Sequence, residues 1–168
     1  MADPNLQYTG VRENINAQAN QFILTGSPVT SDKNSVLHWR IYVVEHSRRA
    51  TVFDLTPGGS DGRTGVLMVK GVNRSASQSS KAEVVFQATK TATVAEVLGK
   101  LQSLGRTRYR YTDDGSGCRY WCETVLQDLV NEGYVGGDAS ATFDAFITER
   151  NALNPGVYPL PTRRGTFY

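Results

Sequence analysis

The chain has 168 residues, of which 39% are hydrophobic and 20% are charged, a composition typical of one folded domain with a continuous core. The formal net charge of +2 is too small to indicate nucleic-acid or membrane binding by itself. No apolar run approaches the roughly 20 residues that cross a bilayer, and residues 1–20 lack the apolar centre of a secretory signal. We therefore expect a cytoplasmic protein.

The two cysteines indicate neither a disulfide nor a metal site. Cys118 and Cys122 lie four residues apart on one predicted helix, a poor geometry for a disulfide, so a reducing compartment is expected. Two cysteines and two distant histidines also supply too few ligands for a metal site. The sequence predicts neither a metal nor a cofactor.

The first part of the chain has the pattern of antiparallel strands. Residues 1–18 are polar and aperiodic, which predicts a flexible N-terminal arm before a single domain over 19–168. A short strand is predicted at 22–24, and residues 36–44 show a clear alternation. One face of that second strand carries Leu37, Trp39, Ile41 and Val43, and the other carries His38, Arg40, Tyr42 and Val44. After a polar turn, residues 51–56 are predicted to return beside it.

Further strands are predicted at 66–69 and 84–86, and helices follow. Thr93 and Glu96 have the spacing of a capping box, which predicts a helix that begins there and ends at Gly105. Residues 107–111 are expected to be extended. Because strands come first and helices later, the predicted class is α+β, with an antiparallel β-sheet packed against helices.

A helix with a cysteine at its N-terminus is predicted after the turn Asp113–Gly117. From Cys118 to near Gly133, apolar residues recur at helical spacing. Ser116 or either aspartate of the turn could cap the unpaired N–H groups of this helix. A thiol at the positive end of the helix dipole, beside free backbone N–H groups, favours the thiolate form. The alternative is a small buried core cysteine.

The last part of the domain is predicted to hold one more helix and an irregular tail. Apolar residues at Phe143, Phe146, Ile147 and Leu153 indicate the helix. Three prolines rule out regular helix in the tail from about residue 154 onward.

His38 and Asp54 are the candidate partners of the cysteine. A hairpin loop at 46–48 places Arg40 opposite Asp54, and His38 then lies diagonal to Asp54 on the same face, within reach of a hydrogen bond. A slip of one residue would put the two side chains on opposite faces. Such an aspartate would orient the imidazole, which could then exchange a proton with the thiol. The alternatives are a half-buried histidine and a turn-capping aspartate.

Two short blocks carry a resemblance to a known group of enzymes. The run His38-Trp39-Arg40-Ile41-Tyr42, followed by Asp54-Leu55-Thr56-Pro57, resembles the lecithin:retinol acyltransferase-like thiol enzymes. The block Gly117-Cys118-Arg119-Tyr120-Trp121 is similar to their cysteine motif, although Gly117 stands where asparagine is usual. The PPPDE peptidases share the order of histidine before cysteine.

This resemblance implies a circularly permuted papain-like (NlpC-type) fold, with Cys118 as nucleophile, His38 as base and Asp54 as the residue that orients it. The expected activity is a thiol-dependent hydrolase or acyl transferase acting on an amide, ester or thioester of a small molecule or peptide. Transfer of a fatty acyl chain from a phospholipid ranks lower, because the chain has no hydrophobic tail or basic amphipathic helix.

A non-catalytic alternative is a binding module that keeps this scaffold. Its groove would recognise a peptide or small molecule through Trp39, Tyr42 and Tyr120, and the same three residues are the candidates for substrate contacts in an enzyme. Tyr42 could also donate to an oxyanion. Residues 106–111 interleave arginines with aromatics, as single-stranded nucleic-acid surfaces do. An edge strand with one solvated face shows the same pattern and is the preferred interpretation, so no nucleic-acid partner is predicted.

Overall fold

The computed structural model describes residues 2–10, 14–76 and 78–168. The described residues form eight strands and three helices. In chain order these are β1 (Leu6–Thr9), β2 (Gln21–Pro28), β3 (Leu37–His46), β4 (Arg49–Gly58), β5 (Thr64–Val72), β6 (Ala82–Gln87), α1 (Val94–Ser103), β7 (Tyr109–Arg110), α2 (Cys118–Asn131), α3 (Ala139–Leu153) and β8 (Thr166–Phe167).

The strands form one sheet in the order β6-β2-β3-β4-β5-β7-β8, and β1 pairs in parallel with β5. The pairs along that order are antiparallel, and the sheet curls into a half-barrel. The predicted α+β class, with an antiparallel sheet and helices, is confirmed.

The main core lies between one face of the sheet and the helices. Trp39 from β3 packs edge-on against Phe143 of α3, with ring centroids 5.3 Å apart, and Trp121 of α2 is fully buried. The opposite face of the sheet carries a second, smaller buried cluster that includes Tyr42. Strict alternation along β3 therefore sends consecutive side chains into different layers, as the sequence predicts.

The helix ends follow from local sequence. At the start of α1 the Glu96 backbone N–H donates to the Thr93 hydroxyl, and the Thr93 N–H donates to the Glu96 carboxylate, so the predicted capping box is confirmed. Gly105, just after the helix, has a φ of 74°, a left-handed conformation that favours glycine. At α2 the suggested side-chain cap is not formed, because Gly117 occupies the cap position and no side chain of the described residues bonds there.

Two predictions about the ends of the chain require correction. The predicted flexible arm at 1–18 contains β1, which is held by parallel pairing with residues 67–70 of β5; Met1 and residues 11–13 of that arm lie outside the described residues. The predicted irregular tail from about 154 ends in β8, which pairs with β7. In both cases a distant strand supplies the hydrogen bonds, and local pattern does not reveal such pairing.

The β3–β4 hairpin has the predicted register with a different turn. Ile41 pairs with Phe53 and Val44 with Ala50, as a loop at 46–48 would require. The actual loop has two residues, 47 and 48, and a bulge between Val44 and His46 restores the same register.

The sheet opens between β3 and β4 beyond the Ile41–Phe53 pair, toward the start of β3 and the end of β4. No further residue pair joins these two strands within residues 37–58, whereas β3 stays paired with β2 as far as Leu37. This opening allows a helix on one side of the sheet to reach a side chain that points to the other side.

Candidate active site

Cys118 is the first residue of α2 and lies at the opening between β3 and β4. Its thiol is 3.8 Å from the Leu37 carbonyl oxygen, and the Trp39 backbone N–H donates to the sulfur. The Arg119 N–H donates to it as well. The sulfur is therefore held at the level of the β3 backbone.

The opening itself is maintained by two side chains. In a continued ladder Trp39 would lie opposite Leu55. Instead, the Trp39 N–H is used by Cys118, and the Leu55 carbonyl accepts a hydrogen bond from the Tyr111 hydroxyl at 2.5 Å. Backbone groups that the opening frees are thus satisfied, as buried polar groups must be.

His38 connects the sulfur to Asp54. The His38 Nε2–H donates to Asp54 Oδ1 at 2.6 Å, which confirms the predicted imidazole–carboxylate contact. Because Nε2 is occupied, Nδ1 is the ring nitrogen that forms the hydrogen bond with Cys118. The sequence expectation that these three residues meet is therefore met in the structure.

The electrostatics of the three residues favour a thiolate–imidazolium pair. Burial disfavours the charged ring, but the hydrogen bonds with Asp54 and Cys118 raise the pKa of His38 to about 9. Burial likewise opposes the thiolate, yet the bond and charge of His38, with the Trp39 and Arg119 N–H groups, lower the pKa of Cys118. In contrast, full burial raises the pKa of Cys122.

Asp54 is a buried carboxylate with three partners. Its side chain is 2% exposed, and besides His38 it accepts hydrogen bonds from Arg40 and Lys70. Burial would raise the pKa of Asp54, but His38, Arg40 and Lys70 hold it well below its usual range. The carboxylate is thus ionised at neutral pH.

The cysteine lies in a cleft of about 390 Å³, within the size range of small-molecule sites. Apolar side chains from β3, from the segment before it, from the end of β4 and from the tail form much of its wall: Val29, Val36, Leu37, Pro57, Val157 and Pro159. Arg163 of the tail and Asp114 of the turn form an ion pair of 3.3 Å beside it.

The tail is fixed to the start of α2 by two anchors. Arg119 is buried and its Nη2 donates to the Pro159 carbonyl at 2.6 Å. The Tyr109 hydroxyl donates to the Gly117 carbonyl at 2.8 Å and accepts from the Gly165 N–H at 2.9 Å. These bonds define the wall opposite β3.

The predicted substrate-contacting residues divide between the cleft and other surroundings. Trp39 lines the cleft. Tyr42 is buried in the smaller cluster, because four residues along a strand carry it about 13 Å from His38. Tyr120 packs against Phe167, with ring centroids 6.1 Å apart, because residues two apart on a helix point in different directions. Of the three predicted residues, Tyr42 and Tyr120 therefore do not line the cleft, and Trp39 does.

Sequence reasoning missed Lys70 and Tyr111. In the sequence, Lys70 has no feature that sets it apart from other charged residues. Only the β4–β5 register, which is a property of the fold, places it beside Asp54. Tyr111 lies in a segment that alternates arginines and aromatics. Its structural role is indicated by its burial, which the structure shows and the sequence pattern does not. Neither has a motif that would have identified it.

No group of three or more His, Cys, Asp or Glu side chains in the described part of the chain is arranged to hold a metal ion. Among the same residues, no helix is both long and apolar enough to cross a membrane.

An antiparallel sheet packed against helices, with a cysteine, a histidine and an aspartate in contact at one cleft, defines an α+β protein with a Cys–His–Asp constellation. The chain belongs to the family described as a domain of unknown function (DUF7770), whose model matches residues 22–168. No curated protein and no solved structure matches the chain.

Proposed function

We propose that this protein is a thiol-dependent hydrolase or acyl transferase that acts on an amide, ester or thioester carbonyl. The observation that carries the proposal is the contact chain from Cys118 through His38 to the buried Asp54, which opens onto a cleft. Each member has the partner that its catalytic role requires.

The reaction would begin with the Cys118 thiolate attacking the substrate carbonyl carbon. A carbon–sulfur bond forms, and the oxyanion is stabilised by backbone N–H groups at the start of α2, which no side chain caps. The His38 imidazolium then gives its proton to the leaving group, and the bond from carbon to that group breaks. The product of this step is a thioester on Cys118.

The second half of the reaction would reverse the proton movement. Neutral His38 removes a proton from water or from an acceptor amine, which attacks the thioester carbon. The carbon–sulfur bond breaks and the thiolate returns. Asp54 keeps the imidazole oriented in both halves.

The order of histidine, aspartate and cysteine along the chain also supports a circularly permuted papain-like (NlpC-type) arrangement. In this proposal, β3 supplies the base, β4 the orienting carboxylate, and α2 the nucleophile at its N-terminus. The likeness to the lecithin:retinol acyltransferase-like and PPPDE enzymes rests on the same residues.

The nucleophile is tested by alkylation with iodoacetamide at pH 6.5, followed by peptide mass spectrometry. We expect Cys118 to react about 100-fold faster than Cys122. Since burial alone protects Cys122, the decisive comparison is His38→Ala, which should slow labelling of Cys118 about tenfold or more. His46→Ala, which changes the other histidine of the chain, is the matched control and should leave the rate unchanged.

Turnover is tested with an activated ester such as p-nitrophenyl acetate. We expect release of p-nitrophenol and an acetyl group on Cys118, and neither in Cys118→Ala. Slow labelling of Cys118 that does not depend on His38, together with no acyl adduct, would contradict the enzyme and favour the non-catalytic binding module.

A further inference from the structure

The two oxygens of Asp54 have different partners. Oδ1 accepts the 2.6 Å hydrogen bond from His38, while Oδ2 accepts from Arg40 Nε and from Lys70 Nζ, each at 3.0 Å. The three donors come from two neighbouring strands on either side of β4, and the carboxylate is 2% exposed. Its orientation is therefore set by these contacts and not by water.

We propose that Arg40 and Lys70 are positioning residues of this site: by holding the outer oxygen of Asp54 they orient its inner oxygen toward His38, and they limit the negative charge that the imidazole experiences. This inference rests on the proposed function of Cys118 and His38. Neither cation touches the cleft, so neither is expected to contact the substrate.

The need for such a limit follows from the chemistry. The imidazolium must release its proton to the leaving group, and a general acid works best when its pKa lies near the working pH. A buried carboxylate with no other partner would hold that proton strongly, because charges interact strongly away from water. Two cations on the same carboxylate weaken this hold while keeping Asp54 ionised. The pKa of His38, raised to about 9, is consistent with a proton that the ring binds firmly but can still release.

The charged and titratable groups around His38 come from each element near it. They are Arg40 of β3, Asp54 of β4, Lys70 of β5, Cys118 and Arg119 of α2, and Tyr111, Asp114 and Arg163 of the cleft wall. On the β2 side, Ser27 lies opposite His38 and carries no charge. Of these groups, Arg40 and Lys70 share Asp54 Oδ2. Because neither residue lines the cleft, both can be changed without altering its wall.

A purely structural role would give a different result. Arg40 and Lys70 are 28% and 38% exposed, and ion pairs of this exposure contribute modestly to stability. If they act only in that way, their removal would change the free energy of unfolding and leave the titration of His38 unchanged. If they limit the charge of Asp54, their removal must raise the pKa of His38, whereas removal of Asp54 must lower it.

The experiment is an NMR titration of the histidine ring signals. The chain has only two histidines, so His46→Gln assigns both signals. We expect Lys70→Met and Arg40→Gln each to raise the His38 pKa by about 0.5 or more. Asp54→Asn should lower the His38 pKa. Lys70→Arg, which keeps the positive charge at this position, should leave the His38 pKa at the wild-type value.

Lys100→Met is the matched control, because Lys100 has the same 38% exposure and forms a 3.2 Å ion pair with Glu132 on another part of the molecule. It should leave the His38 titration unchanged. An unchanged or lowered His38 pKa in both folded variants, Lys70→Met and Arg40→Gln, would overturn the proposal.

The same samples separate this inference from the proposed function. Alkylation of Cys118 in wild type and in His38→Ala is measured alongside the titration. Labelling of Cys118 that is slow in wild type and unchanged in His38→Ala would refute the thiol chemistry, whereas fast labelling that depends on His38, with an unmoved His38 pKa, would refute only the role of Arg40 and Lys70.

Discussion

The Tyr111 hydroxyl donates a 2.5 Å hydrogen bond to the Leu55 carbonyl, at the point where β3 and β4 separate. On the other strand, the Trp39 N–H donates to the Cys118 sulfur. One missing ladder position is therefore replaced by two side-chain contacts, one structural and one at the proposed nucleophile. The position of the sulfur depends on the sheet remaining open here.

Tyr111→Phe removes the hydrogen bond and leaves the Leu55 carbonyl buried without it. We expect the free energy of unfolding in urea to fall by about 1–3 kcal/mol, the usual cost of an unsatisfied buried polar group. Tyr8→Phe, at a tyrosine that is 53% exposed, is the control and should have little effect. Equal stability of the two variants would show that the opening does not depend on Tyr111.

The pH dependence of stability follows from the shifts at His38 and Cys118. The His38 pKa rises from 6.5 to about 9 on folding, so its contribution is complete below pH 6.5 and is lost as the pH rises through 9. The Cys118 pKa falls below its usual 9.0, so its contribution is present above pH 9 and is lost as the pH falls. Between these limits the two contributions oppose each other.

We therefore expect the unfolding free energy of wild type to fall less between pH 6.5 and 9 than that of a variant without the thiol. Cys118→Ala removes the opposing contribution of the thiol, while Asp54 still holds the His38 pKa above its usual value. The unfolding free energy of this variant should therefore fall over this range by on the order of 1–3 kcal/mol. Urea titrations at pH 6.5, 7.5 and 9 measure this change. Cys122→Ala is the control, since that residue is fully buried and outside the pair. A Cys118→Ala curve parallel to wild type would contradict the thiolate–imidazolium pair.

Local pattern was sufficient wherever neighbours in sequence are neighbours in space. The alternation of β3 and the register of its hairpin predicted the contact between His38 and Asp54, although the turn is one residue shorter than predicted and a bulge restores the register. Helical spacing predicted a thiol at the start of α2. The capping box at Thr93 was likewise a local signal.

Features that depend on distant segments could not be predicted in this way. The opening between β3 and β4 needs Tyr111 and Cys118, which are more than 50 residues away from Leu55 and Trp39. The strand β1 is short and mostly exposed, and it exists because β5 pairs with it. The distance of Tyr42 from His38 follows from the rise of a strand alone, so its position outside the cleft could have been predicted.

Gly117 is the residue whose substitution should most directly disturb the nucleophile. Its φ of 137° is one that residues with a side chain rarely adopt, and an added Cβ would lie 2.7 Å from the Tyr109 hydroxyl oxygen. That hydroxyl cannot easily yield, because it bonds to both Gly117 and Gly165. Gly117→Ala must therefore change the backbone immediately before Cys118.

For Gly117→Ala we expect a loss of about 1–3 kcal/mol in the free energy of unfolding, from backbone strain at this position. Alkylation of Cys118 at pH 6.5 should also slow, because the sulfur moves away from His38 and the Trp39 N–H. Gly137→Ala is the matched control: its added Cβ would have no atom within 4 Å, and both readouts should stay at the wild-type value. Wild-type labelling in a destabilised Gly117→Ala would mean that the α2 start tolerates displacement, and that the reactivity of Cys118 does not depend on this geometry.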